Sequence, residues 1–338
     1  GFIGNPTTFL FFKNVGLSPH PDFGPTIPFA LFAMFQLKFA IITPALITGG
    51  LAERVRFTSL MLFLILFSLF IYAPLAHWTW HPEGFLRKWG ILDFAGGTVV
   101  HISAGFAALS GAIFMGKRKG LDEEARPTNI PYILLGTSLL WFGWFGFNAG
   151  SSLAADGLAV RAFVNTNISS ATAMLTWLFA DGAMGKKRSA AGAAIGAVVG
   201  LVAITPAAGF VTVGQSVFFG FIASIVSYTA VQLKSKTKID DTLDVFPCHG
   251  LGGIVGMILT GVFAVNGGEG VGLIHGNVGQ FLLYLLSLLI VGVFTFGGSY
   301  LLYFITDKIL PMRVTLEQEK TGLDITQHGE EAFDFSTK

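Results

Sequence analysis

Long apolar stretches constrain the fold of this chain more than any other feature. Nine of them reach the roughly 20 residues that an α-helix needs to cross a hydrocarbon layer of about 30 Å. They run near residues 27–50, 57–77, 93–116, 130–150, 158–181, 189–208, 212–233, 245–265 and 278–306. Because a bundle of helices satisfies its own backbone hydrogen bonds in lipid, the sequence predicts an all-α, polytopic transmembrane helix bundle.

The overall composition supports a membrane protein. The chain is 52% hydrophobic and only 12% charged, whereas soluble domains carry about 25% charged residues. A net charge of +1 argues against a nucleic-acid partner. The single cysteine, Cys248, excludes a disulfide framework and any metal site built from several cysteines.

The distribution of basic residues predicts the orientation. Sixteen of the 21 Lys and Arg residues lie in alternate connections and in the C-terminal tail. They are Arg54, Arg56, Lys117, Arg118, Lys119, Arg126, Lys186, Lys187, Arg188, Lys234, Lys236, Lys238, Lys308, Arg313, Lys320 and Lys338. The positive-inside rule therefore places the C-terminus in the cytoplasm.

Two apolar stretches begin with an aspartate followed by a histidine. Asp93 precedes His101 in the third stretch, and Asp244 precedes His249 in the eighth. The two stretches are an odd number of spans apart, so they cross in opposite directions. A repeated element of inverted orientation predicts an inverted-repeat transporter or channel, with the site between the repeats.

Each of these polar residues also has an ordinary structural interpretation. Either histidine alone could be a packing residue with satisfied hydrogen bonds, although two at matching positions favour function. Asp93 lies before a glycine pair and is expected to cap its helix rather than bind an ion. Lys38, inside the first stretch, is expected to extend to the membrane interface.

Several segments in series resemble the ammonium transporter family, which includes the Amt, Mep and Rhesus proteins. They are DFAGGTVVHISAGFAALSGAIFMGKRKG (93–120), GWFGFNAGSS (143–152), AFVNTNISSATA (162–173) and DDTLDVFPCHGLGGIVG (240–256). The tail GLDITQHGEEAF (322–333) resembles the microbial and plant Amt branch, with Phe333 where tyrosine is common. The resemblance covers essentially the whole chain.

The resemblance implies an overall organisation. Family members have eleven spans and an outer N-terminus, so nine spans would correspond to the third to eleventh, with the first two absent. Residues 1–306 would form the transmembrane channel domain, and residues 307–338 a cytoplasmic tail. A homotrimer in the plasma or inner membrane is implied, as is a PII-type signalling protein at the cytoplasmic face. A transporter rather than an enzyme is implied, without a cofactor or metal.

The resemblance also assigns roles to individual residues. The pore histidines would be His101 and His249, and the two stacked phenyl rings of the gate would be Phe39 and Phe147. The outer site that recruits ammonium falls on Trp80, Ser151 and Phe35. Asp93 takes the place of a supporting acid.

The implied chemistry solves a selectivity problem. Potassium has nearly the size and charge of ammonium, and a dry apolar pore rejects both as ions. Only ammonium, or its analogue methylammonium, can lose a proton and continue as a neutral molecule. Whether the proton follows through the histidines or returns outside stays open at this stage.

Three alternatives remain. Two buried histidines could be axial ligands of a haem in an electron carrier. A membrane domain of this kind could serve as an ammonium sensor, which would require sequence beyond Lys338. A Rhesus-type gas channel is the nearest alternative within the same superfamily.

Overall fold

The computed structural model describes residues 1–119 and 127–331. Within them the chain is predominantly helical, which confirms the all-α prediction. The helices are α1 (Phe29–Leu51), α2 (Phe57–Phe67), α3 (Ala73–Trp80), α4 (Phe85–Lys88), α5 (Ser103–Met115), α6 (Ile130–Ala149), α7 (Gly157–Ala183), α8 (Ala190–Ile204), α9 (Val213–Lys234), α10 (Gly252–Phe263), α11 (Val278–Ile309) and α12 (Leu316–Thr321). Arg126, Phe333 and Lys338, which the sequence analysis used, lie outside the described residues.

Two short hairpins interrupt the helices. Strands β1 (Pro19–His20) and β2 (Gly24–Pro28) pair before α1. Strands β3 (Val265–Asn266) and β4 (Glu269–Gly270) pair between α10 and α11. Both hairpins are antiparallel and belong to the connections rather than to the helix bundle.

The described residues contain four π-helical turns, in which backbone hydrogen bonds reach back five residues instead of four, and one of these turns lies in the tail at Asp324–His328. Another joins α2 to α3 at Ser68–Tyr72. The remaining two precede α5 and α10 and are named here the first wide turn (Gly97–Ile102) and the second wide turn (Phe246–Leu251). Each of these two carries one of the predicted pore histidines.

Seven helical segments within the described residues are long and apolar enough to cross a membrane. The chain is therefore an integral membrane protein. The other two predicted spans correspond to α7 and α8, which fall below these limits. Helix α8 has only 15 residues, whereas α7 is long but carries buried polar side chains such as Asn165 and Thr166. A crossing by these two helices stays a prediction.

The most deeply buried span lies at the centre of the bundle. The first wide turn and α5 form a span that is 78% buried, whereas only 6% of the span built on α6 is buried. The second wide turn packs against α5 through Gly105 and Gly250. The two predicted pore histidines are thereby placed in the interior.

The C-terminal tail packs against the connection between α1 and α2. Val314 donates its backbone N–H to the carbonyl of Arg54 at 3.1 Å, and Arg56 donates to Met312 at 2.8 Å. The side of the molecule that carries this contact is named here the tail side. The opposite side carries the two hairpins.

Candidate functional site

The first wide turn is held at its start by Asp93. One carboxylate oxygen accepts the N–H groups of Gly96 and Gly97, at 2.8 and 2.6 Å. The other accepts the N–H and the hydroxyl of Thr98, at 2.8 and 2.5 Å. These donors would otherwise be unpaired at the start of the helix. The bonds orient the turn that carries His101, four residues beyond the last glycine.

The second wide turn is held by Asp241 in the same manner. Its two carboxylate oxygens accept the backbone N–H groups of Val245 and Phe246, at 3.1 and 2.7 Å. Asp241 precedes His249 by eight residues, which is the spacing between Asp93 and His101. The pairing of Asp244 with Asp93 was therefore wrong: Asp244 forms an ion pair with Lys234 at 2.7 Å instead.

The two histidines meet in the interior. The Nδ1 atoms of His101 and His249 are 3.2 Å apart, which is a hydrogen-bond distance. The side chains are almost fully buried, with 1% and 9% of their surface exposed. One nitrogen must donate and the other accept. Because nitrogens in direct contact leave no space for a haem iron between them, the geometry disfavours the electron-carrier alternative.

A stack of aromatic rings covers the histidines on the side opposite the tail. The ring centroids of Phe39 and Phe147 are 4.5 Å apart. Phe147 in turn lies 6.0 Å from the ring of His101. Trp144 stacks on His101 at 5.3 Å and donates its Nε1–H to the hydroxyl of Thr205 at 2.9 Å. Trp144 is not among the site residues predicted from the sequence, although its i, i+3 spacing from Phe147 puts both on one helix face.

A cavity of about 160 Å³ opens above the rings, and it is named here the outer cavity. Its lining includes Phe35, Phe39, Trp80 and Ser151. The structure thus brings together the three residues predicted for recruitment. Trp80 is fixed by a hydrogen bond from Nε1 to the carbonyl of Asp93 at 3.0 Å, so the indole and the first wide turn are held as one unit.

The hydroxyl of Ser151 donates to the carbonyl of Phe147 at 2.9 Å. Since its proton is used in that bond, the oxygen lone pairs are left to accept from a donor in the outer cavity. Lys38 is exposed on the outside of α1 and does not line this cavity.

A second cavity of about 400 Å³ reaches His249 from the tail side, and it is named here the inner cavity. Cys248, Val245 and Leu243 line it together with residues of α1, α6 and α8. The order from one side to the other is therefore the outer cavity, the paired phenyl rings, His101, His249 and the inner cavity. A short buried segment that contains both histidines thus separates the two cavities.

The chain matches a known protein family over nearly its whole length. The model of the Ammonium Transporter Family matches residues 1–333. The chain belongs to the ammonium transporter family. This confirms the resemblance that the sequence motifs indicated.

Named relatives of this ammonium transporter family member match over most of its length. It is 45% identical over 325 residues to the ammonium transporter of Bacillus subtilis (strain 168), covering 95% of this chain and 80% of the relative. The solved structure of Candida albicans Mep2 superposes with a TM-score of 0.86 at 37% identity, covering 94% of this chain and 72% of Mep2. A structure named Sensor Amt Protein has a TM-score of 0.82 at 33% identity, covering 91% and 78% of the two chains.

Proposed function

We propose that this family member transports ammonium across the membrane by recruiting the cation, removing a proton and passing neutral ammonia along the histidine pair. The observation that carries the proposal is the contact between His101 and His249, buried between two cavities. The family membership and the relatives named ammonium transporters support the same substrate.

Recruitment would take place in the outer cavity. The rings of Trp80 and Phe35 offer π faces to a cation, a contact of about 1–2 kcal/mol when the cation is partly dehydrated. Ser151 supplies an acceptor for one N–H of the ion. These groups replace only part of the hydration shell, so the cavity concentrates ammonium without trapping it.

Discrimination would follow below the outer cavity. Phe39 is 2% exposed, and its contact with Phe147 closes the cavity to water. An ion that enters the buried segment loses its hydration at an effective cost of several kcal/mol. Ammonium avoids this cost by leaving its proton behind, whereas potassium has no proton to lose.

The histidine pair would then guide ammonia through the segment. Each imidazole has one donor and one acceptor when neutral, so the pair can hydrogen-bond ammonia from both sides. The Nε2 of His101 has no hydrogen-bond partner within the described residues. That atom is the one we assign to contact with the passing molecule.

The remaining expectations belong to the same proposal. Residues 1–306 would form the transmembrane channel domain, and the tail side would face the cytoplasm of the plasma or inner membrane. The protein would assemble as a homotrimer and would bind a PII-type signalling protein on that face. The clustering of basic residues on the tail side supports this orientation.

The sensor alternative is favoured by one observation, the likeness to the structure named Sensor Amt Protein. A sensor would bind ammonium without a sustained flux. Measuring net methylammonium uptake over many turnovers therefore separates the two functions, since only a transporter continues to accumulate substrate.

Substitution of the histidines tests the proposed mechanism. Uptake of methylammonium by His101→Ala and by His249→Ala should fall about tenfold or more, because each variant loses a hydrogen-bonding group of the buried segment. His275→Ala, on an exposed connection, is the matched control and should transport normally. Normal uptake by both pore variants would contradict the role given to the pair.

A further inference from the structure

The tip of the β1–β2 hairpin lies at the outer cavity. Asp22 and Phe23 occupy the turn between the strands, and both line the cavity. The backbone N–H of Asp22 donates to Nδ1 of His20 at 3.2 Å, and the ring of Phe23 lies 4.8 Å from that of His20. The turn therefore has a defined shape over the cavity.

The hairpin is also tied to the opposite rim. The hydroxyl of Thr26 donates to the carbonyl of Leu153 at 2.6 Å, and Leu153 lines the same cavity two residues after Ser151. Phe23 packs further on Phe32 of α1, with ring centroids 6.1 Å apart. These contacts hold the turn that carries Asp22 at the mouth of the outer cavity.

The charges at this mouth are of opposite sign. Among the described residues that line the outer cavity, Arg87 is the basic residue and Asp22 the acidic residue. The guanidinium of Arg87 donates to the carbonyl of Trp80, which places a positive charge beside the predicted recruitment site. The negative charge of Asp22 acts on His81 and is not neutralised by an ion pair with a Lys or Arg of the described residues.

We propose that Asp22 is a further recruitment residue, whose carboxylate offsets Arg87 and raises the local concentration of ammonium at the outer cavity. The inference rests on the proposed function. Field lines from a charge at the mouth of a cleft with apolar walls are focused into the cleft, which concentrates ions of the opposite sign. The aromatic walls of the outer cavity provide this environment.

Substitution of Asp22 separates its charge from its place in the turn. Asp22→Asn removes the charge but keeps the backbone N–H that bonds His20. Asp22→Glu keeps the charge. Glu269→Gln, in the β3–β4 hairpin on the same side of the membrane, removes one negative charge away from the outer cavity and is the matched control.

Initial rates of methylammonium uptake by the full-length protein, measured at pH 7, test the inference. At about 10 mM salt, Asp22→Asn should raise KM about threefold with an unchanged maximal rate, since a partly screened surface charge contributes an effect of this size. At about 500 mM salt the difference should vanish, because the Debye length then falls below about 5 Å. Asp22→Glu and Glu269→Gln should keep the wild-type KM.

Three results would overturn the inference. They are an unchanged KM for Asp22→Asn at low salt, an equal rise in KM for Glu269→Gln, and a rise for Asp22→Asn that persists at high salt. The last result would mean that Asp22 acts only by shaping the turn. A wild-type protein without saturable uptake would instead contradict the proposed function.

Discussion

At the residue scale, Asp93 and Asp241 have the same structural role: each caps the start of a wide turn. Each is buried at the start of a wide turn, and each accepts hydrogen bonds from backbone N–H groups of that turn. A buried carboxylate is tolerated where such donors replace its hydration. Asp93 accepts four bonds and Asp241 accepts two, so Asp93 should contribute more to stability.

Replacement of either aspartate by alanine tests this order. Each lost acceptor leaves a buried donor unsatisfied, at about 1 kcal/mol or more per donor. Asp93→Ala should therefore lower the free energy of unfolding by about 4 kcal/mol, and Asp241→Ala by about 2 kcal/mol. Thermal unfolding in detergent, followed by tryptophan fluorescence, measures both. Asp241→Ala being the more damaging variant would contradict the assignment.

The sequence predicts some of these residue contacts and conceals others. His101 and His249 stand out because histidines are costly inside apolar stretches. Asp241 could have been identified from its eight-residue spacing to His249, but Asp244 is nearer to the histidine and misled the interpretation. The contact of Trp144 with His101 joins two segments that are distant in the sequence. The spacing of Trp144 from Phe147 places both on one face of α6, but it does not indicate that this face meets His101.

The crossing of α5 with the second wide turn is the central contact at the element scale. A Cβ atom on Gly105 would lie 2.3 Å from the backbone nitrogen of Gly250 and 2.4 Å from its Cα. Neither neighbour is a side chain that could rotate away. The absence of a side chain at Gly105 therefore permits the close approach that brings the two histidines together.

Gly105→Ala should force the two elements apart. Overpacking of this kind costs about 1–3 kcal/mol, and we expect transport to fall with it because the histidine contact lengthens. Gly143→Ala is the matched control, since a Cβ on that glycine of α6 meets no atom within 4 Å. Wild-type stability and uptake in Gly105→Ala would show that the crossing tolerates separation.

Hydropathy predicts where the helical segments begin and end, but it does not predict which of them contain π-helical turns. The nine apolar stretches each correspond to a helical segment, with boundaries within a few residues in most cases. Helix α7 is less apolar than the other long helices because side chains such as Asn165 and Ser169 bond carbonyls of neighbouring segments, at 2.9 and 2.8 Å. The wide turns were not foreseen, since a five-residue hydrogen-bond pattern leaves no mark in hydrophobic periodicity.

At the scale of the whole molecule, charged side chains on the tail side link several interhelical connections to one another and to the C-terminal tail. Arg118 contacts Asp240 with two side-chain hydrogen bonds of 2.9 and 3.0 Å and also contacts Glu53. The fully buried Arg54 donates to Thr242 at 2.8 Å, and Arg313 of the tail donates to the carbonyl of Lys117. Three interhelical connections and the tail are thereby linked.

The ionisation of Asp240 makes part of this stability depend on pH. Partial burial raises the pKa of its carboxyl. The hydrogen bonds from Arg118 and the charge of Arg54 lower the pKa by more than burial raises it, so the pKa lies below its ordinary value. A carboxyl with a depressed pKa stabilises the fold above its unfolded pKa of about 3.9, and this contribution is lost as pH falls through the folded pKa.

Arg118→Gln should therefore destabilise the protein at neutral pH by about 2 kcal/mol, the typical cost of removing a charged hydrogen-bond partner. The difference from wild type should begin to shrink below about pH 4, where Asp240 of the unfolded chain takes up its proton, and should continue to shrink as the pH falls through the lower folded pKa of Asp240. Thermal unfolding across this pH range measures it. A difference that stays constant down to pH 3 would show that Asp240 is not the partner responsible.

The sequence predicted the tail side as a basic surface but not as a network. Counting Lys and Arg predicts the orientation, because the positive-inside rule depends on how many of these residues each connection carries. Which cation bonds which carboxylate depends on how distant connections fold over one another. Arg54 illustrates the limit: it was counted as a loop charge, yet its side chain is fully buried among backbone carbonyls.

The central claim is that the buried segment between the two cavities passes a molecule that has shed its proton and rejects a bare ion. Flux of ammonium and of potassium into proteoliposomes that contain the full-length protein tests it most directly. The cost of dehydrating an ion in the segment predicts that ammonium uptake exceeds potassium uptake by about 100-fold or more. Potassium uptake at a rate comparable to that of ammonium would contradict the account.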